Sequence, residues 1–223
     1  IETAIEYHRQ VLTVLTREDV PIEWAQTMMH LGVAYFDRIR GDRAQNIETA
    51  IECYQQALTI RTQAVMPVKW AQTMMNLANA YDERIQGEHA QNLEHAIECH
   101  RRALTIFTRE TMPVEWAGTM MNLENAYVER IRGDRGQNVE EAIACYQQAI
   151  TVRTKEAMPA DHRQTQRNLG NLALANQRWR LAMDAFQGAL AAGELLYDTA
   201  DTPEARQAEL REVGGLPAAY AYG

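Results

Sequence analysis

The feature that most constrains this chain is a 46-residue unit repeated in tandem. Residues 21–66, 67–112 and 113–158 are near copies of one another. A truncated copy occupies 1–20, a shorter and more divergent one occupies 159–199, and 200–223 opens a further helical segment that stays incomplete. A unit this short buries too little apolar surface to stand alone, so successive units must stack and share their cores. The chain starts on Ile1, which aligns with Ile47, Leu93 and Val139, and it reads as a piece of a longer array.

Within each copy the apolar residues recur at helical spacing. In the second, Trp70, Met74, Leu77, Tyr81 and Ile85 form one stripe, with Ile39 and Ile131 matching Ile85 in its neighbours. Pro67 sits where the first turn of a helix tolerates a missing N–H. Gly87 stands as the C-terminal stop, which gives a first helix of about 20 residues and about 30 Å. A polar connector then ends in Asn46, Asn92 or Asn138, read as N-caps of the second helix, with Glu141 completing a capping pair in the third copy. The second helix carries Ala96, Ile97, His100, Ala103 and Leu104, whose alanines allow two backbones to approach closely. Strand patterns are absent. The expected fold class is all-α, an α-α superhelix of antiparallel helix pairs. Residues 1–17 form a second helix without its first, which leaves one apolar flank uncovered.

Composition narrows the function. The net charge is -8 and the basic residues are scattered, the opposite of a nucleic-acid surface. No apolar run approaches the ~20 residues of a membrane span and no signal peptide opens the chain, so a cytoplasmic protein is expected. Cys53, Cys99 and Cys145 fall one per copy and read as half-buried packing residues of a reducing compartment. His95 and Cys99 share a helical face but lack the further ligands a metal needs, so neither metal nor cofactor is expected. No phosphate-binding glycine loop, HExxH or nucleophile elbow occurs, and pairs such as Asp82 and Glu83 read as solvated helix surface. A non-enzymatic protein is expected.

The fourth pair carries the family resemblance. Leu169, Gly170, Trp179, Ala182, Phe186 and Ala189 fall at the relative spacings of the tetratricopeptide repeat, a helix–turn–helix of about 34 residues. The longer copies keep the anchors, as at Leu77, Tyr81, Ala96 and Ala103, and add about six residues between the helices and about six before the next pair. The unit built on Pro67, Trp70, Ala71, Thr73, Asn76, Leu77, Tyr81, Arg84, Gly87 and Asn92 further resembles arrays that precede CHAT domains, which have a caspase-like fold. Residues 205–223 resemble the helical lead-in to that domain. Its catalytic histidine and cysteine regions have no counterpart in this sequence, so the resemblance implies no peptidase activity.

The resemblance implies that the first helices line a concave surface which binds an extended protein or peptide segment. Matched position by position, the peptide-binding residues would be Met29, Met75, Asn76, Asn79, Met121, Asn122, Asn125, Arg167, Asn168 and Asn171. The asparagines form two ladders, 76/122/168 and 79/125/171, whose amides can pair with a peptide backbone; the same residues could instead bond to a neighbouring helix. Met29, Met75 and Met121 would add a deformable apolar strip, with Met28, Met74 and Met120 in the core. The first three pairs offer no Lys or Arg to this surface, and Asp82, Glu83 and Glu129 make it acidic. Glu124 departs from the pattern, which has Gly32, Ala78 and Gly170 at the same place. The expected function is a scaffold or regulatory interaction module. The alternative is a structural array that self-associates head to tail through its unpaired terminal helices.

Overall fold

A computed structural model of the chain describes residues 1–214. It contains α1 (Glu2–Leu12), α2 (Pro21–Phe36), α3 (Arg43–Leu58), α4 (Pro67–Asp82), α5 (His89–Ala103), α6 (Pro113–Glu129), α7 (Arg135–Ile150), α8 (Pro159–Ala175), α9 (Trp179–Thr199) and α10 (Pro203–Gly214). No strand occurs among the described residues. Helices α2 and α3, α4 and α5, and α8 and α9 pack as pairs, and short connectors make such neighbours antiparallel. The all-α class of antiparallel helix pairs is therefore as expected. The chain divides into two compact units, Ile1–Thr111 with Glu129–Arg132, and Met112–Val128 with the residues from 133 onward. Helix α10 falls within the segment read as 200–223, and the residues after 214 lie outside the described ones.

Proline starts α2, α4 and α8 at the first helical position, and the residue before each is held in an extended φ between -137° and -143°. The first helices stop sooner than their periodicity suggests. Helices α2 and α4 are 16 residues long and α6 is 17. Gly41, Gly87 and Gly133 do adopt a left-handed φ of +82° to +84°, but four or five residues beyond the helix end. The stripe consequently ends early, and Ile39 is 92% exposed, Ile85 and Ile131 also exposed. The residues that follow α2 and α4, 37–42 and 83–88, form connectors and do not extend these helices.

The connector asparagines do not cap the helices they precede. Asp42 and Asp134 take that place, their carboxylates accepting from Gln45 N at 3.0 Å and Gln137 N at 2.8 Å. Asn46, Asn92 and Asn138 are buried one turn inside the second helices, so Asn138 and Glu141 form no capping pair. Asn46 Nδ2 donates to the carbonyls of Arg40 at 2.9 Å and Arg38 at 3.4 Å, and Asn92 Nδ2 to those of Gln86 at 2.9 Å and Arg84 at 3.3 Å. These carbonyls have left the helical ladder, and a buried carbonyl without a partner is costly.

The same connectors carry an arginine that reaches the preceding pair. Arg38 Nε and Nη2 donate to the two carboxylate oxygens of Glu2 at 3.0 and 2.8 Å. Arg84 repeats this with Glu48 at 2.7 and 2.8 Å, and Arg130 with Glu94 at 2.7 and 2.8 Å. In the second unit Arg178 bonds Glu140. The Arg130 guanidinium holds the Glu94 carboxyl below the usual carboxylate range. Bidentate geometry of this kind fixes register as well as contributing energy.

Inside each pair, one residue of the first helix, small in all but the third, stands opposite one ring of the second. A Cβ on Gly32 would lie 2.6 Å from Tyr54 Cε1, and one on Gly170 would lie 2.6 Å from Phe186 Cε1. Ala78 and His100 fill these two places in the second pair, and Glu124 and Tyr146 in the third, all four fully buried or nearly so.

Two stability outcomes follow from these contacts. Gly32→Ala should lower the stability of the chain by about 1–3 kcal/mol through overpacking, read as a lower urea midpoint. Arg84→Ala should cost about 1 kcal/mol, the low end for a charge-assisted bond because the pair is partly solvated; an unchanged midpoint would remove the register role given to this arginine.

Candidate functional site

The residues expected to face a ligand lie on α2 and α4 in the first unit and on α6 and α8 in the second. In the first unit Met29, Met75, Asn76 and Asn79 are all half-buried. Helices α2 and α4 meet directly, Lys69 Nζ lying 3.2 Å from Gln26 Oε1, and Met29 is three residues along α2 from Gln26. In the second unit Asn125 and Asn171 are exposed and Asn122 is half-buried. Met121 departs from expectation: it is only 9% exposed, packed inside with Met120.

Asn168 and Arg167, both expected to face a ligand, are engaged within the fold. Asn168 Oδ1 accepts from Gln164 Nε2 at 2.8 Å, and its side chain also bonds Tyr146. Arg167 Nη1 donates to Glu212 Oε2 of α10 at 3.1 Å, beside the neighbouring pair Arg163 and Glu209. Helix α10 packs on α9 and supplies carboxylates to the two arginines of α8.

The acidic character expected of the first unit is largely neutralised. Glu83 pairs with Arg43, and Glu129 lies 3.9 Å from His89. Asp82 is not solvated surface: Oδ2 lies 3.3 Å from Nε2 of the fully buried His100, and burial raises its pKa despite that contact. Basic groups do reach this surface. Arg61, from the turn after α3, and Lys69, from the first turn of α4, both donate to Gln26 Oε1. Periodicity misses Arg61 because it lies outside both helices. The signal that could reveal it is the comparison of position 69 with its counterparts Glu23, Glu115 and Asp161.

Other chemically suggestive side chains are buried. Cys53, Cys99 and Cys145 are all inside, and burial pushes the Cys53 and Cys99 thiols up to about 12, far from a reactive thiolate. Among the described residues no group of three His, Cys, Asp or Glu side chains is placed to hold a metal, and no helix is long and apolar enough to cross a membrane. Glu124 is 1% exposed, bonds Tyr146 and leaves Oε2 without a hydrogen-bond partner. Burial pushes its carboxyl up to about 7.

Residues 24–65 and 70–104 match the tetratricopeptide repeat family. This repeat is a protein-interaction module, typically without catalytic activity, and the matched segments hold α3, most of α2 and α4, and α5. No curated protein gives a match to the chain.

The Glu124 environment has a definite pH signature. Its carboxyl sits near 4.5 when unfolded and at about 7 when folded, so the folded state favours the proton. Stability from this group is complete below pH about 4.5 and is lost as pH rises through about 7. The loss is on the order of 3 kcal/mol as an upper bound. Urea midpoints at pH 5 and pH 8 should differ by this group's share in the wild type, and Glu124→Gln should shrink that difference.

Proposed function

We propose that this chain is a non-enzymatic interaction module that binds an extended segment of a protein partner along the first-helix faces. In the first unit the binding residues are Met29, Met75, Asn76 and Asn79. In the second they are Asn122, Asn125 and Asn171, with Met121, Asn168 and Arg167 serving the fold instead. The observation that carries this reading is the half-buried Met75, Asn76 and Asn79 on α4, inside a segment that matches a protein-binding repeat. Amides supply both donor and acceptor to a peptide backbone, and the thioethers adapt to varied side chains. Backbone pairing of this kind gives affinity with loose sequence demands, which suits a scaffold or regulatory part of a larger protein. A CHAT-type effector beyond residue 223 fits the same role.

Self-association is the second reading, motivated by Ile1, Tyr7 and Val14, which leave exposed apolar surface on α1 and the turn after it. Sedimentation velocity over a hundredfold concentration range separates the two, since head-to-tail assembly requires species that grow with concentration. For the peptide reading, binders selected from a random peptide library should lose roughly tenfold or more in affinity to the Asn76→Ala, Asn79→Ala double variant by fluorescence anisotropy. Retained affinity in a variant with wild-type helicity would exclude these asparagines from binding.

A further inference from the structure

Arg61 is 2% exposed, yet no carboxylate among the described residues pairs with it. Its Nη1 donates to Thr73 Oγ1 at 3.1 Å and its Nη2 to Gln26 Oε1 at 2.5 Å, while its Nε has no hydrogen-bond partner among the described residues. A guanidinium keeps its proton throughout the accessible pH range, so its buried charge calls for an anion. A second cation stands beside it, because Lys69 Nζ lies 3.2 Å from the same Gln26 Oε1. One neutral amide oxygen therefore accepts from two cations, a role that an anionic oxygen fills far better.

The surroundings share this positive field. Gln26 Nε2 and His30 Nε2 are 2.7 Å apart, and the His30 imidazole is held below its usual pKa by burial first, then by His8, Arg61 and Lys69. Lys69 and His30 are exposed and Gln26 is half-buried, so the cluster opens to solvent on that side.

Comparison between copies shows that this arrangement is peculiar to the junction of the copies at 21–66 and 67–112. The residues equivalent to Arg61 and Lys69 are Leu15 and Glu23, Phe107 and Glu115, and Arg153 and Asp161. Where the arginine recurs, Arg153 Nη1 has Asp161 Oδ1 at 3.8 Å. At Lys69 the acid is exchanged for a base, which both removes the counter-ion of Arg61 and adds a further positive charge. The acid is replaced by a base only beside the fully buried arginine.

We propose that Arg61, Lys69 and Gln26 form a binding site for one oxyanion group, a carboxylate or phosphate carried by an extended peptide segment, whose oxygen takes the place of Gln26 Oε1 between the two cations. The fork of Arg61 matches the two oxygens of such a group, and Lys69 supplies a point charge at the mouth. The site rests on these three side chains and does not depend on the asparagine ladders.

The test follows the Arg61 Nε–Hε resonance in the full 223-residue chain, assigned by its loss in Arg61→Lys. Three probes are titrated: inorganic phosphate, a blocked alanine peptide with one central glutamate, and its phosphoserine counterpart. A saturable shift is expected, and the probe that saturates at the lowest concentration identifies the source of the oxyanion. Lys69→Glu restores the acid found in the other copies; it should weaken binding roughly 10- to 100-fold and raise the melting temperature, because Arg61 then gains an internal partner. Lys69→Gln should weaken binding less. No shift with any probe, or equal affinity in Lys69→Glu and wild type, overturns the proposal.

Discussion

A polar connector placed between two packed helices must satisfy carbonyls that no longer belong to either. The buried asparagines at 46 and 92 answer that constraint, each donating to two connector carbonyls from inside the next helix. The consequences spread outward from there. With the connector fixed, Arg38 and Arg84 hold a set direction, each bonding its asparagine and the glutamate of the preceding pair. One amide thus couples the fold within a pair to the register between pairs.

Inside the pairs the governing quantity is the space between one small residue and one ring. Gly32 opposes Tyr54, Ala78 takes the place opposite the smaller ring of His100, and Gly170 opposes Phe186. Glu124 breaks the rule, and its carboxyl is forced toward the neutral form by the company it keeps. A buried polar group in a site built for a hydrogen or a methyl is a concession in stability that packing alone does not explain. The hydrogen bond to Tyr146, with Asn168 behind it, is what makes the concession tolerable.

Much of the architecture was legible because periodicity and duplication report burial directly. Trp70, Met74 and Leu77 lie in the core as their spacing requires, and Pro67 starts its helix as its missing N–H requires. What pattern reading misplaces are residues whose partners are distant in sequence. Asn92 has the composition of a cap, and only the position of Gln86 and Arg84 carbonyls shows that it works in the other direction. Ile85 keeps the helical phase but falls beyond the helix end. On the candidate surface the exposure of Asn125 and Asn171 was legible, whereas the burial of Met121 and the engagement of Arg167 by Glu212 depend on neighbours that a single helix cannot show. Arg61 was invisible for the same reason, since a residue in a turn has no phase to read.

The arginine–glutamate locks also bear on how such a chain can change over generations. Glu2, Glu48 and Glu94 are interchangeable by position, and so are Arg38, Arg84 and Arg130. Excising one whole copy, or inserting another, presents each arginine with a glutamate of the same geometry as the one it lost. Recombination that adds or removes a whole copy therefore keeps every arginine opposite a glutamate. Copy number becomes a heritable variable that mutation can tune without inventing a single new contact.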